Sequence, residues 1–407
     1  MSTSRHRGRK AIVVGGSIAG LLAATLLRKG GWEVDIYERS DVELEGRGAG
    51  ILSHPELEAV LAEAGADLSN YGIKVNERVM FDQSGAVVRR HLFPQTMTSW
   101  DRVQSIGRRL QPNSTYHLDH NLTGLEQNHD SVTAHFSDGR SATADLLVGA
   151  DGFRSSVRGI LAPAIQPIYA GYVIWRSVAD EADLHPQTHA EVFDKLAFQL
   201  ERGHEVVTFA MAGLKNNMEA GRQRCNFVWY RTVDNGMLDD MLTDSTGVKH
   251  ALSIPPPLVR PDVVKEMLRT ADGFMCRQLR SVLAACKSPF FTPIYDHASP
   301  SMVYGRVALI GDAAFVGRPH VGLGVLKGAA DAKALADALG TATVDVFAGL
   351  QAFNEKRRPI GERVVARGRE LGAFLNKDPN AIQTPEEDEK HYEEFLQNTG
   401  NPDFLYQ

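Results

Sequence analysis

The segment from Lys10 to Glu38 constrains the fold more than any other part of this 407-residue chain. Residues 10–14 form a short apolar run, residues 18–29 have the composition of an apolar helix, and Glu33–Tyr37 alternates like a second strand. A strand, a helix and a strand within about 30 residues form a βαβ unit, whose two strands pair in parallel. We therefore expect a parallel sheet near the start of the chain.

The turn between this strand and helix carries the run Gly15-Gly16-Ser17-Ile18-Ala19-Gly20. It predicts a dinucleotide site, because Gly15 allows a tight turn and Gly20 lets the helix approach the strand closely. The pyrophosphate then lies at the helix N-terminus, where free N–H groups and the helix dipole favour an anion. Ser17 replaces the usual middle glycine and is small enough for this role. Glu38 ends the second strand, where an acid can accept ribose hydroxyl groups, and this setting favours a nucleotide site over an incidental turn.

Two further apolar strands end in glycine and aspartate, and they indicate which dinucleotide binds. Residues 145–148 lead into Gly149-Ala150-Asp151-Gly152, and residues 307–310 lead into Gly311-Asp312-Ala313-Ala314. An NAD dehydrogenase needs no second strand that ends in an acidic residue, whereas a protein that binds a cofactor with a ribityl chain does. Asp312 can bind ribityl hydroxyl groups, and Gly322 and Gly324 would let backbone amides approach an isoalloxazine ring. The three motifs together favour FAD.

The chain between these motifs changes character at residues 165–295, which are richer in aromatic and alternating segments and predict an antiparallel sheet. The expected fold is α/β, or α+β overall: a Rossmann-like βαβ domain split by an antiparallel-sheet domain and followed by a helical C-terminal segment. The acidic tail is expected to be a surface helix or an extended arm. The proposed division is an FAD-binding domain (8–75, 100–165 and 295–376), a substrate domain (76–99 and 166–294) and a tail (377–407).

Composition excludes several classes of function. The formal net charge is −6, so no strong basic balance argues for nucleic acid binding. The apolar run after the basic start stops at Gly15, too early for a signal peptide, and no apolar stretch is long enough to span a membrane. The three cysteines have neither disulfide nor metal-site spacing, so we expect free thiols, no metal and a cytoplasmic location.

Several motifs resemble one known family along nearly the whole chain, the single-component (class A) FAD-dependent aromatic hydroxylases, and within it the 2,6-dihydroxypyridine 3-hydroxylase-like monooxygenases. The resemblance rests on six segments: Val13-Val14-Gly15-Gly16-Ser17-Ile18, Tyr37-Glu38-Arg39-Ser40, Gly48-x-Gly50-Ile51, Tyr169-Ala170-Gly171-Tyr172-Val173-x-Trp175-Arg176, Asn226-Phe227-x-Trp229-Tyr230 and Arg318-Pro319-His320. These motifs are specific for FAD and for the fold, and much less specific for the substrate.

The resemblance implies a role for each cofactor residue. The run from Gly15 to Gly20 would line the FAD pyrophosphate, Glu38 and its neighbour Arg39 the adenosine ribose, and Asp312 the ribityl chain. Asp151-Gly152 would serve FAD and nicotinamide together. The residues expected to border the isoalloxazine are Pro319, Gly322, Gly324, Val325 and Leu326.

Three positions depart from the family pattern. Trp100 stands where many relatives have an arginine that contacts the FAD phosphates, which leaves Arg102 or Arg47 as substitutes. Lys327 replaces the usual asparagine, and Phe315 stands where histidine is common. These departures concern local contacts of the flavin and not the identity of the cofactor.

The resemblance also implies the reaction. NAD(P)H reduces non-covalent FAD, oxygen adds at flavin C4a, and the resulting hydroperoxide hydroxylates a small phenolic or hydroxylated N-heteroaromatic ring. Removing a ring hydroxyl proton makes the ring more nucleophilic, and His320 or His54 could serve as the base. We expect the substrate pocket to be lined by Trp175, Thr208, Phe227 and Trp229, although core packing is the alternative for these aromatic residues.

Other interpretations use the same cofactor fold. A flavin oxidase would make peroxide without consuming NAD(P)H, and a flavin reductase is a further alternative. A halogenase would need a W-x-W-x-I-P run, which this sequence lacks. A non-catalytic FAD or NAD redox sensor would not need the aromatic insertion. The sequence leaves open whether the chain forms a homodimer, and it indicates neither NADH nor NADPH as the preferred donor.

Overall fold

The computed structural model describes residues 9–44, 50–340, 344–376 and 385–405. Arg47, one of the two expected substitutes at the FAD phosphates, lies outside these residues. The described chain folds into strands and helices that alternate at both ends, with a long run of strands between them.

The strands, in chain order, are β1 (Lys10–Val14), β2 (Glu33–Tyr37), β3 (Gly50–Ser53), β4 (Ile73–Phe81), β5 (Val87–Ser99), β6 (Tyr116–His117), β7 (Leu122–Gln127), β8 (Val132–Phe136), β9 (Ser141–Ala144), β10 (Leu146–Gly149), β11 (Ile168–Asp180), β12 (Lys195–Glu201), β13 (His204–Met211), β14 (Arg224–Thr232), β15 (Lys287–Ala298), β16 (Val303–Tyr304), β17 (Val307–Leu309) and β18 (Phe315–Val316).

The α-helices are α1 (Ile18–Lys29), α2 (Pro55–Ala64), α3 (Trp100–Arg109), α4 (Ser156–Leu161), α5 (Pro186–Val192), α6 (Asn235–Met241), α7 (Pro261–Phe274), α8 (Arg277–Ala285), α9 (Gly324–Leu339), α10 (Val346–Gly372) and α11 (Pro385–Asn398).

The predicted βαβ unit forms the centre of a six-stranded sheet with the order β16-β17-β10-β1-β2-β6. Strand β1 pairs in parallel with β2 and β10, and β10 pairs in parallel with β17. Parallel strands carry their carboxyl ends to the same edge of a sheet, so the three predicted motifs after β1, β10 and β17 meet there. The prediction of a Rossmann-like domain is confirmed.

A second sheet has nine strands in the order β18-β15-β11-β14-β13-β12-β4-β5-β3, and its pairs are antiparallel except for β12 with β4. The predicted antiparallel insertion is confirmed as part of this sheet. Strand β3 also lies in it, although the proposed division assigns residues 8–75 to the FAD-binding domain. Helices α7 and α8 cover one face through a buried apolar cluster. The other face carries a separate buried cluster.

The C-terminal helix α11 packs one side on that second face, so of the two expected forms of the tail, a surface helix or an extended arm, the described part is a helix. Phe395 and Leu396 are buried, and the Phe395 ring lies edge-on to Phe198 at 5.5 Å. The buried Arg78 guanidinium donates to the carbonyl oxygens of Leu396 at 2.6 Å and Thr399 at 2.8 Å. The last carbonyls of a helix have no hydrogen-bond donor within the helix, and here the Arg78 guanidinium is the donor.

A buried ionic cluster joins α9, α10 and the turn after β17. One carboxylate oxygen of Asp331 accepts from the Gly311 amide and from Lys327 Nζ, both at 3.0 Å, and the other accepts from Arg357 Nε at 2.7 Å. Lys327 also donates to the Gly311 carbonyl at 2.8 Å. Burial alone would raise the pKa of Asp331, but the Lys327 and Arg357 cations together lower it. Lys327, the departure from the family pattern, therefore supports the turn that carries Asp312.

None of the described helices is both long enough and apolar enough to cross a membrane.

We predict that Asp331→Asn destabilises the holoenzyme by about 3–5 kcal/mol, because two buried cations lose their counter-charge. Asp337→Asn is the matched control on the same helix, since Asp337 is exposed and pairs only with Lys333 on the surface, and it should change stability by less than about 1 kcal/mol. Urea unfolding at pH 7 measures both. Equal stabilities for the two variants would contradict the prediction.

The sign of the pH dependence follows from the lowered pKa of Asp331. Its contribution is fully present above the unfolded carboxyl value of about 4 and is lost as the pH falls through the lower folded value. The stability difference between the wild type and Asp331→Asn should therefore shrink only below about pH 4.

Candidate active site

The turn after β1 can be formed only by glycine at two positions. Gly15 has a φ of +109°, and a Cβ placed on it would lie 2.4 Å from the Ala150 carbonyl oxygen. A Cβ on Gly20 would lie 2.0 Å from the Gly15 carbonyl oxygen. Ser17 precedes α1 and makes no side-chain hydrogen bond to the helix. The first turn of α1 therefore presents its amides at the sheet edge, as an anion site requires.

Glu38 is buried beside this helix terminus. Its two carboxylate oxygens accept from the Gly16 amide at 2.8 Å and from the Ser40 amide at 2.9 Å. These bonds fix the carboxylate, and each oxygen retains a lone pair for a ribose hydroxyl. Arg39 is exposed next to it.

The side chains of Ile18 and Ala19 pack α1 against neighbouring parts of the protein and do not face the sheet edge. Ile18 is buried in the main core. The Ala19 Cβ lies 3.2 Å from where a Cβ would stand on Gly311 or on Gly328. These small residues bring α1, α9 and the turn after β17 close together, and only the backbone of Ile18 and Ala19 is available to a cofactor.

Asp151 stabilises the turn after β10 by capping α4. Its Oδ2 accepts from the amides of Ser156 at 2.7 Å and Val157 at 3.1 Å. Burial raises the pKa of Asp151, and its buried Oδ1 has no partner in the described chain. Gly152, with φ of +76°, has open space around its Cα.

Asp312 follows β17 and opens on a large cavity. Its side chain lines that cavity, and desolvation by the surrounding protein raises the pKa of the carboxyl. Arg158 donates to the Ala313 carbonyl at 3.0 Å and to the Phe153 carbonyl at 2.7 Å, which ties the turns after β10 and β17 together.

The cavity has a volume of about 420 Å³ and lies between the carboxyl edge of the first sheet and the second face of the nine-stranded sheet. That size fits a small ligand. One wall is the N-terminus of α9, where Gly322 has φ of +64° and nothing lies within 4 Å of a Cβ on Gly324. Pro319 and Val325 also line this wall, whereas Leu326 is buried behind it. The α9 terminus favours negative charge in the cavity.

His320 follows Pro319 beside this wall and belongs to a buried polar group formed with residues of the nine-stranded sheet. Its Nε2 is 2.9 Å from the Tyr172 hydroxyl, and its ring stacks on Tyr230 at 4.3 Å. Its Nδ1 is 2.8 Å from Glu205 Oε2, a close contact without the alignment of a hydrogen bond. His320, Glu205 and Tyr230 all line the cavity.

Arg176 brings a positive charge to the same cavity. Its guanidinium makes no hydrogen bond or ion pair within the described part of the chain, and burial lowers its pKa. An enclosed cation without a partner is unfavourable, so the cavity favours a ligand that carries negative charge. The sequence analysis quoted Arg176 within a motif but assigned it no role, and it missed Glu205.

Four residues expected in the substrate pocket lie on the wrong face of the sheet. Trp175, Phe227 and Trp229 belong to the buried cluster under α7 and α8, where Trp175 packs on Phe291 and Trp229 on Phe274. Thr208 is fully buried and donates to the Asn226 carbonyl at 2.9 Å. Side chains alternate along a strand, so the cavity receives their neighbours instead: Arg176, Val207, Phe209, Val228 and Tyr230.

Two other expected contacts lie away from the cavity. His54 is buried at the start of α2, and its Nε2 lies 2.9 Å from the Gly400 carbonyl. Burial lowers the pKa of His54, which is a structural histidine here and not the predicted base. Arg102 donates to the Ser69 carbonyl at 2.6 Å and lines a second cleft.

Comparison with known proteins agrees with this architecture. The model of the FAD binding domain family matches residues 9–213 and 293–368, and an FAD binding domain-like model matches residues 169–296. The 2,6-dihydroxypyridine 3-monooxygenase of Paenarthrobacter nicotinovorans is 33% identical over 365 residues, covering 89% of this chain and 90% of that protein. A salicylate hydroxylase of Pseudomonas putida is 27% identical, covering 90% of this chain and 86% of that protein.

A solved structure, that of 2,6-dihydroxypyridine-3-hydroxylase from Arthrobacter nicotinovorans, superposes with a TM-score of 0.86 at 32% identity. The match covers 93% of this chain and 95% of that one. The family model and these relatives assign FAD as the cofactor and monooxygenation as the reaction. The chain therefore belongs to the FAD binding domain family and, within it, to the single-component FAD-dependent aromatic hydroxylases.

Proposed function

We propose that this chain hydroxylates a small phenolic or hydroxylated N-heteroaromatic ring, with NAD(P)H as electron donor and O2 as oxidant. The observation that carries this proposal is the cavity of about 420 Å³, in which the α9 terminus faces a wall that holds Arg176 and the Glu205–His320 pair. The relatives named for 2,6-dihydroxypyridine and salicylate act on small hydroxylated rings, which agrees with a cavity of this size.

The three strand ends fit the parts of FAD. The amides after Gly15 would bind the pyrophosphate, Glu38 the adenosine ribose and Asp312 the ribityl hydroxyls. The first turn of α9, with its open Gly324, would receive the polar edge of the flavin ring. When bound, FAD accepts a hydride from NAD(P)H and activates oxygen, while the protein supplies orientation and excludes water.

In this proposal, the Glu205–His320 pair takes the proton of a substrate hydroxyl. Deprotonation makes the ring carbons ortho and para to that oxygen more nucleophilic, which the transfer of an electrophilic oxygen requires. Tyr172 holds the imidazole from the other side and fixes the ring plane. The Arg176 guanidinium would then stabilise the ring anion, because it has no other counter-charge among the described residues.

We predict that the protein binds FAD non-covalently, so that denaturation releases it, and that Asp312→Ala weakens FAD affinity by roughly tenfold or more. The lost hydrogen bond to a charged group contributes about 1.5–3 kcal/mol. Fluorescence titration of the apoprotein with FAD measures the change, and Asp130→Ala, at an exposed position, is the control. Wild-type affinity in a folded Asp312→Ala variant would remove this residue from the FAD site.

The true substrate is expected to accelerate NAD(P)H oxidation at least about tenfold, which corresponds to about 1.4 kcal/mol of activation free energy. Such control delays reduction until an acceptor ring is bound and limits the loss of activated oxygen as peroxide. A screen of hydroxypyridines, hydroxybenzoates and hydroxypurines, with NADH and NADPH in parallel, tests this. Rapid NAD(P)H oxidation in the absence of any aromatic compound would contradict this control by the substrate. If every compound tested gave peroxide and none gave a hydroxylated product, the enzyme would be an oxidase.

Replacing His320 by alanine is expected to lower product formed per NAD(P)H consumed, and to raise peroxide, more than it lowers FAD affinity. Glu205→Gln should act in the same direction, since it removes the charge beside the imidazole. His54→Ala is the matched control, because His54 is an equally buried histidine that does not line the cavity. Unchanged coupling in His320→Ala, or an equal loss in His54→Ala, would remove the pair from the reaction.

A further inference from the structure

A second cleft, of about 580 Å³, lies apart from the cavity just described. The loop that follows α2 forms one side, α3 forms another, and the turn at Lys215–Asn216, which follows β13, forms the third. Three basic residues line it, namely Arg102, Arg109 and Lys215. The cleft therefore lies where helices on the first sheet meet a turn of the second.

The three cations of this cleft form no ion pair with a carboxylate in the described part of the chain. None of them forms an ion pair in residues 9–44, 50–340, 344–376 or 385–405. Burial and then the nearby Arg109 charge lower the pKa of Arg102, and the buried Nε of Arg102 has no hydrogen-bond partner. Asp67 is the one acid lining the cleft; its carboxylate accepts two 2.8 Å hydrogen bonds from Ser69 and attracts Arg102 and Arg109 without forming an ion pair, so three positive charges face one negative charge. Like charges held together in this way favour an anion between them.

The backbone on two sides of the cleft is held in an uncommon conformation. Asn70, Lys215 and Asn216 have φ values of 52°, 54° and 59°, which residues other than glycine rarely adopt. Asn216 Nδ2 donates to the Asn70 carbonyl at 2.9 Å, so the two strained segments support each other. This link sets the width of the cleft.

The position of the cleft relates it to the flavin cavity. Ser99 of β5 pairs with Gly50 of β3, and Gly50 lines the flavin cavity described above. The Ser99 hydroxyl also accepts from the Arg102 amide at 3.1 Å and caps α3. Arg102 therefore lies one helical turn after Ser99, and the residue paired with Ser99, Gly50, borders the flavin cavity.

We propose that this cleft binds the phosphate groups of the dinucleotide cosubstrate NAD(P)H. The sequence has one glycine fingerprint at a strand end, and the proposed function assigns it to FAD, so the cosubstrate needs other cationic groups for its pyrophosphate. Two arginines and a lysine supply them, and arginine suits phosphate oxygens because its N–H groups are paired in a fork. The inference rests on the proposed use of NAD(P)H, and it concerns residues that the FAD and substrate sites do not use.

The test uses the FAD holoenzyme and the double variant Arg109→Gln with Lys215→Gln, which keeps Arg102 and its bond to Ser69. The matched control is Lys265→Gln with Arg269→Gln on α7, an equal loss of two exposed positive charges elsewhere. Calorimetric titration with NADP⁺ measures binding without turnover, and the KM values for NADPH and for the aromatic substrate are measured in parallel.

We expect the NADP⁺ Kd and the NADPH KM to rise at least about tenfold in the cleft variant and less than twofold in the control, with FAD retention and the aromatic KM unchanged. The salt dependence of the NADPH KM should also weaken, because fewer charges remain to be screened. Wild-type NADP⁺ affinity in the cleft variant, an equal loss in the control, or loss of FAD instead of NADP⁺ would each overturn the inference.

Failure of the proposed function gives a different result. If the wild-type holoenzyme itself neither binds NADP⁺ nor oxidises NADPH or NADH, the cosubstrate assignment fails and the cleft proposal fails with it. If the wild type binds NADP⁺ and the cleft variant binds it equally well, only the cleft proposal fails.

Discussion

The buried carboxylate of Asp331 is the interaction on which the active-site architecture depends. It holds cations from α9 and α10 and the amide of Gly311 at once. Through these bonds, the turn that presents Asp312 is fixed to the helix whose N-terminus forms a wall of the cavity. A buried ion pair gives little net stability, but removing one partner is costly, so such a cluster specifies geometry more than it stabilises the fold. Here the geometry it specifies is that of the Asp312 turn and the α9 terminus, which line one cavity and are the two parts proposed to hold the flavin end of FAD.

The rest of the site follows from the parallel pairing of β1, β10 and β17. Their carboxyl ends lie at one edge, where each chain must turn and where backbone amides are free of the sheet. The nine-stranded sheet contributes what the first sheet lacks, a broad face with buried polar groups. The cavity forms between them, so the residues proposed for the cofactor come from short turns and those proposed for the substrate come from alternating strands. This division explains why the two groups of residues differed in how well the sequence predicted them.

Much of the cofactor side could be predicted, because a turn motif is local. The run from Gly15 to Gly20, bounded by two apolar strands, determines a tight turn and a close helix approach by sterics alone. The substrate side could not be predicted in the same way. Alternation indicated that Phe227 and Trp229 share a face, but the choice of face depends on α7 and α8, which are distant in sequence and cover the aromatic side. Glu205, an acid within the apolar strand β13, was the available indication that the opposite face is functional.

The distribution of charge relates the structure to the kind of ligand that each site favours. The chain is acidic overall, with a formal net charge of −6, yet its sites hold cationic or partly positive groups that form no ion pair among the described residues. The N-termini of α1 and α9, Arg176 and the basic residues of the second cleft all belong to this class. Uncompensated positive charge costs free energy in the folded protein, and that cost is offset when anionic groups bind. A pyrophosphate, a flavin edge, a ring anion and a dinucleotide phosphate each carry negative charge. Under the proposed function, the same constraint would account for all four positions, because each offers positive charge to an anionic ligand.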